Sequence, residues 1–173
     1  MDEHTSYLMF FIELLNLFLT IISDAALYDD VKLAATSCVV ALAEPSRPLY
    51  PVGIALSLPM GLDPIKNSIS LMGYGISQML DLTLVTKIRE LKIEAMLAIL
   101  HLSQKLAPYK EGEVLACFFP GIASSLGKVI LGDFKQGHMV IGTAVQVYLP
   151  FFFFSFLFSF SFFPFLFLNT YCF

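Results

Sequence analysis

The chain has 173 residues, a net charge of −4, 57% hydrophobic and 14% charged residues, and a mean hydropathy of +0.78. That length suits one domain, but an ordinary soluble domain is about 25% charged, so the chain either meets a membrane or carries a biased segment. The acidic balance excludes a nucleic-acid partner, which needs clustered Lys and Arg, and the scattered cysteines Cys38, Cys117 and Cys172 exclude a disulfide scaffold or cysteine zinc knuckle and fit a reducing compartment.

Residues 1–147 read as a helical repeat domain and 148–173 as a separate tail. The opening MDEHTSYLMFFIELLNLFLTIIS starts with acids, whereas a secretory signal starts with bases. Residues 7–22 have the bulk of a short membrane span. Glu13 and Asn16 sit at their centre, however, and a mid-membrane acid costs about 2.5–3.5 kcal/mol. The segment therefore predicts a core helix, capped by Thr5 or Ser6 and ending near Asp24. With Asp24 as the next N-cap, Leu27, Val31, Ala34, Cys38 and Leu42 share one helical face, opposite Asp29, Lys32 and Thr36. Pro45 and Pro48 stop that helix.

Residues 44–64 carry five prolines and predict a long irregular connection. Pro64 suits the first position of a helix running to about Leu84, although Gly73 and Gly75 weigh against it. The strongest helix is 86–106, with Ile93, Met96, Leu97 and Leu100 as its apolar stripe and Lys87, Glu90, Glu94, His101 and Lys105 as its wet side. Pro108 ends it. A short turn or helix is expected at Val114, then a helix with Pro120 in its first turn and Ile122, Leu126, Val129 and Ile130 buried. Gly132 is expected as the residue just past that helix. A last helix starts near Gln136 and continues past Val147. No segment alternates with period two, so the expected fold is all-α: antiparallel helix pairs stacked as a HEAT- or armadillo-like solenoid.

The tail is unusual in its alphabet. Twelve of the 18 Phe lie in the last 23 residues, and no charged residue follows Lys135. Residues 149–168, LPFFFFSFLFSFSFFPFLFL, are long enough to span a bilayer of about 30 Å. Yet they use only Phe, Leu, Ser and Pro, the set encoded by all-pyrimidine codons, and Val147-Tyr148 is encodable as GTATAT, the form of a splice donor. Two readings follow. The tail is a translated intron, or it is a membrane anchor.

Little in the chain suggests chemistry. His4, His101 and His138 stand alone, and no HExxH or CxxC occurs. Glycines at 73–75 and 132–137 lack the Lys-Ser/Thr of a phosphate loop. Asp29-Asp30 and Glu111/Glu113 suit helix starts. Cys117, beside Phe118 and Phe119, reads as a buried thiol, and His101 as a solvated helix residue. No catalytic, cofactor or metal site is expected.

The segment CFFPGIASSLGKVILGDFKQGHMVIGTAVQVY, 117–148, resembles the Tti-One family, the large subunit of the Tel–Tti–Tti (TTT) co-chaperone complex. The family's F-L-P-G-[IV]-x-x-x-L helix start corresponds to Phe119, Pro120, Gly121, Ile122 and Leu126. Its G-D-x-K-Q-G-H turn corresponds to Gly132, Asp133, Lys135, Gln136, Gly137 and His138. The segments around Arg89-Glu90-Leu91 and at 27–42 are similar to it too. The resemblance implies a non-enzymatic scaffold without cofactor, cytoplasmic or nuclear, partnered by the other TTT subunits and heat-shock chaperone machinery. It would support phosphatidylinositol-3-kinase-related kinases of the mTOR and ATM type. Family members are much longer, so the chain is expected to be an N-terminal fragment or short isoform with impaired binding. The motif itself is expected to be a turn between helices or a partner contact. A tail-anchored protein with a cytosolic helical domain is the alternative.

Overall fold

The computed structural model describes residues 3–44, 64–107, 113–132 and 137–151. The described residues form helices and no strand: α1 (Glu3–Ser23), α2 (Asp29–Leu42), α3 (Pro64–Val85), α4 (Arg89–Leu106), α5 (Glu113–Ala116), α6 (Phe119–Leu131) and α7 (138–151). The Pro-rich connection, the Pro108 turn and the tail beyond 151 lie outside the described residues.

In α1, Leu8, Phe11, Leu15, Leu19 and Ile22 recur every three or four residues and are all buried. Each such side chain gains about 1.5–3 kcal/mol from leaving water. Glu13, Asn16 and Thr20 face out, so the acid that argued against a membrane span sits on the solvent side of a core helix. The helix is already formed at Glu3, which places Thr5 and Ser6 inside it rather than at its cap. At its other end the Asp24 carboxylate accepts the Ala26 N–H at 2.8 Å. That Asx turn opens a short loop, and α2 starts at Asp29 instead of just after Asp24.

α2 is rotated from the sequence reading. Ala35, Thr36, Val39 and Ala43 are buried, whereas Val31, Ala34 and Cys38 are exposed. The helix is apolar on several sides, so periodicity alone does not choose its inner face. Thr36 goes inside because its hydroxyl donates to the Lys32 carbonyl at 2.7 Å, leaving only its methyl to the core.

α3 and α4 form the central hairpin, joined by a three-residue turn in which the Thr86 hydroxyl accepts the Ile88 N–H at 3.2 Å. α4 packs on both α3 and α2, and α1 packs on α2 and α3. The buried face of α4 is Leu91, Ala95, Ala98, Ile99, Leu102 and Leu106, flanked by Met96 and Ser103. The stripe expected from sequence is offset: Ile93, Leu97 and Leu100 are only half-buried at its border. Lys105, placed on the wet side, is 6% exposed, its ammonium 5.9 Å from the centre of the Phe11 ring. His101 is not a solvated residue either; its Nδ1–H donates to the Val40 carbonyl at 2.9 Å and ties α4 to α2.

Gly73 and Gly75 do not weaken α3. They are its contact points. A Cβ at Gly75 would lie 3.1 Å from Leu102 Cδ1 and 3.4 Å from Leu19 Cδ1, and one at Gly73 only 2.7 Å from Phe118 Cζ. Close approach of α1, α4 and the α5–α6 turn to α3 depends on those missing side chains.

Candidate functional site

The family-like motif begins where α6 begins. Phe118 precedes the helix and sits in the Gly73 notch, and its carbonyl accepts the Ile122 N–H at 3.0 Å. Pro120 follows in the first turn, where no intrahelical N–H bond is lost, and its ring is exposed. Phe119 is half-buried and meets Phe151 edge-to-face, with ring centres 5.8 Å apart at 74°. Gly121 faces Leu80, whose Cδ1 would be 3.7 Å from an added Cβ. Ile122 and Leu126 are fully buried, with Val129 beside them as expected. The first half of the motif therefore anchors α6 to α3 and α7.

The second half stands at the far end of α6, about 20 Å away at 1.5 Å per residue. Gly132 stands just past the helix, as expected, with extended backbone, φ −70° and ψ 179°. The left-handed glycine is Gly137, at φ 88°, immediately before α7. Its carbonyl accepts the Ile141 N–H at 3.4 Å. His138 is exposed. Asp133, Lys135 and Gln136 lie outside the described residues. The described residues of the motif thus lie at the two ends of one helix.

Reactive groups are similarly dispersed. Cys117 is exposed, as is Cys38; the inward position at the α5–α6 turn is taken by Phe118 rather than by the thiol. Among the described residues no three His, Cys, Asp or Glu side chains come together to hold a metal. A cleft of about 90 Å³ lies between α4, α5 and α7, lined by Leu100, Ser103, Ala107, Leu115 and Phe151. Ligand pockets run to about 300–1,000 Å³, so this cleft is a packing gap; the Ser103 hydroxyl in it is buried with no hydrogen-bond partner. Burial pushes the Lys92 ammonium below the ordinary lysine value of 10.5. None of these groups was legible as a site from sequence, and none assembles into one.

Among the described residues no helix is long and apolar enough to cross a membrane. The last helix runs through residue 151, past the domain boundary drawn at 147, and Phe151 packs into the body.

Residues 5–149 match the profile of the family described as the TTI1 N-terminal TPR domain. Two curated proteins are similar over 89 residues: the TELO2-interacting protein 1 homologs of Mus musculus, 33% identical, and of Homo sapiens, 30% identical. Each match covers 44% of this chain and 8% of the relative, so the chain spans a small part of those proteins' length. No solved structure matches.

Proposed function

Because the chain belongs to the TTI1 N-terminal TPR domain family, we propose that it is a non-enzymatic scaffold segment of the TTT co-chaperone complex. The observation that carries this reading is the extent of the family match, which runs from α1 nearly to the end of α7. In this reading the hairpins α1–α2, α3–α4 and α6–α7 are the first repeats of a HEAT- or TPR-like solenoid. The relatives are named for interacting with TELO2, and the proposed partners are the other TTT subunits, heat-shock chaperone machinery and the phosphatidylinositol-3-kinase-related kinases whose maturation the complex supports. The place of action is the cytoplasm and nucleus. The physical support is what the helices do: they hold each other through buried apolar faces and present turns and outer faces.

Binding by this chain alone is expected to be weak. A stable interface buries about 1,200–2,000 Å², and a solenoid spreads such an interface over many repeats. The test is co-precipitation of TELO2 by the chain, with the full-length mouse relative as control. Recovery below about a tenth of the control fits the expected loss of area. Recovery equal to the control would show that these first repeats carry the whole interface and that the fragment is not impaired.

A further inference from the structure

Two turns meet at one end of the helix stack. The α3–α4 turn contributes Val85 and Lys87, and the α6–α7 turn contributes Leu131, Gly137 and Met139. They touch where a Cβ at Gly137 would stand 3.8 Å from Arg89 Cζ. Val85 is 79% exposed, Leu131 88% and Met139 75%. Beside them Lys87, Arg89 and Lys128 are all exposed. Elsewhere among the described side chains, Lys32 and Lys92 are half-buried and Lys105 is buried, so every exposed Lys or Arg described belongs to this corner. Among the described residues Asp81 and Glu90 are the exposed acids near it, and His138 is exposed there.

The complementary surface is on the same chain. Among the described residues Tyr28, at 82% exposed, is the remaining large apolar side chain of comparable exposure. It is followed by Asp29, Asp30 and Val31, all exposed, and the exposed Asp24 closes the same α1–α2 turn. One corner is apolar and basic; the other is apolar and acidic. We propose that two copies of this chain associate through these corners, Tyr28 and Val31 of one packing on Val85, Leu131 and Met139 of the other while Asp24, Asp29 and Asp30 face Lys87 and Lys128. Surface hydrophobics are ordinarily scattered singly, whereas here the most exposed ones are sorted by the sign of the charge around them. An anionic membrane is a poorer match for the basic corner: such surfaces recruit clusters of 4–8 Lys/Arg, and among the described residues the three exposed cations here are interspersed with the exposed acids Asp81 and Glu90. The inference does not depend on membership of the TTT complex.

The test is sedimentation velocity of the full chain over a concentration series at low and moderate salt. The wild type should self-associate, and raising salt from about 50 to 300 mM should weaken the association as screening shortens. Lys87→Glu with Lys128→Glu should weaken it at least about tenfold, as expected when close charge pairs are reversed. Tyr28→Ser should do the same from the other side while keeping α2 formed, because Tyr28 is the helix's N-cap position and serine is a favoured residue there. Mixing the Lys87→Glu/Lys128→Glu variant with an Asp29→Lys/Asp30→Lys variant should restore a complex that neither forms alone. A monomeric wild type would overturn the proposal. So would association that ignores all of these substitutions, which would place it at the tail or the outer face of α7, or vesicle binding by the basic corner with no self-association.

Discussion

Gly73→Ala sets two effects of opposite sign against each other. Alanine inside a helix is favoured over glycine by about 0.5–1 kcal/mol, so at an open site the change would stabilise α3. Gly73 is not open. The added Cβ would stand 2.7 Å from Phe118 Cζ, closer than real carbon atoms approach. The Phe118 main chain is held by its N–H on the Leu115 carbonyl at 2.9 Å and by its carbonyl on the Ile122 N–H at 3.0 Å, so relief must come from the half-buried ring leaving the notch. Overpacking of this kind costs about 1–3 kcal/mol, which outweighs the helical gain. The net expectation is a loss of about 1 kcal/mol, or a melting point lower by about 2–4 °C for a chain of this size. In a Phe118→Ala background the notch is empty and the same change should stabilise by about 0.5–1 kcal/mol. The double-mutant cycle, followed by circular dichroism on heating, should therefore show a coupling of about 2 kcal/mol. A Gly73→Ala protein that melts above the wild type, with additive effects in the cycle, would refute the seating of Phe118 against α3.

The other predictions concern single elements. Leu102→Ala should cost about 2–5 kcal/mol in urea unfolding because Leu102 is fully buried against the Gly75 gap, and half-buried Leu97→Ala less than half of that; equal losses would mean α4 is rotated. Gly137→Ala should cost about 1–2 kcal/mol, since φ 88° strains an L side chain, whereas Gly132→Ala at φ −70° should stay within about 0.5 kcal/mol; comparing their melting points checks the assignment. Phe151→Leu should lose the edge-to-face contact with Phe119, about 0.5–1.5 kcal/mol, and an unchanged melting point would remove Phe151 from the body. The lowered Lys92 value means that the unfolded chain binds more protons than the folded one just below pH 10.5. Stability contributed by this group therefore rises with pH across that alkaline window, and Lys92→Met should flatten the rise in urea midpoints.

Helix positions were more legible than helix faces, for a physical reason. Pro64 and Pro120 mark the starts of α3 and α6, whose ranges follow from them. Most of the buried side of α6 was legible, because Ile122 and Leu126 are large and lie among small or polar neighbours; in the apolar run after them Val129 is buried, but Ile130, also expected inside, is half-buried. α2 offered no such contrast: alanines, valines and a cysteine surround it, and the choice of Ala35, Thr36 and Val39 was made by packing against α1 and α4. Lys105 and His101 were misplaced because each buries a polar group against a partner distant in sequence, the Phe11 ring and the Val40 carbonyl. Among the glycines of the motif, spacing alone did not show which takes positive φ, and it is Gly137 rather than Gly132. The motif was legible as a family resemblance without being legible as a site, since its described residues serve opposite ends of α6.

The central claim is that this chain can act as the first repeats of the family's scaffold. The direct measurement replaces the matching N-terminal segment of the mouse relative with residues 5–149 of this chain, in cells lacking that relative, and follows TELO2 co-precipitation together with the steady-state level of the dependent kinases. The account predicts that the graft restores both. A soluble graft that recovers neither TELO2 nor the kinases would contradict it.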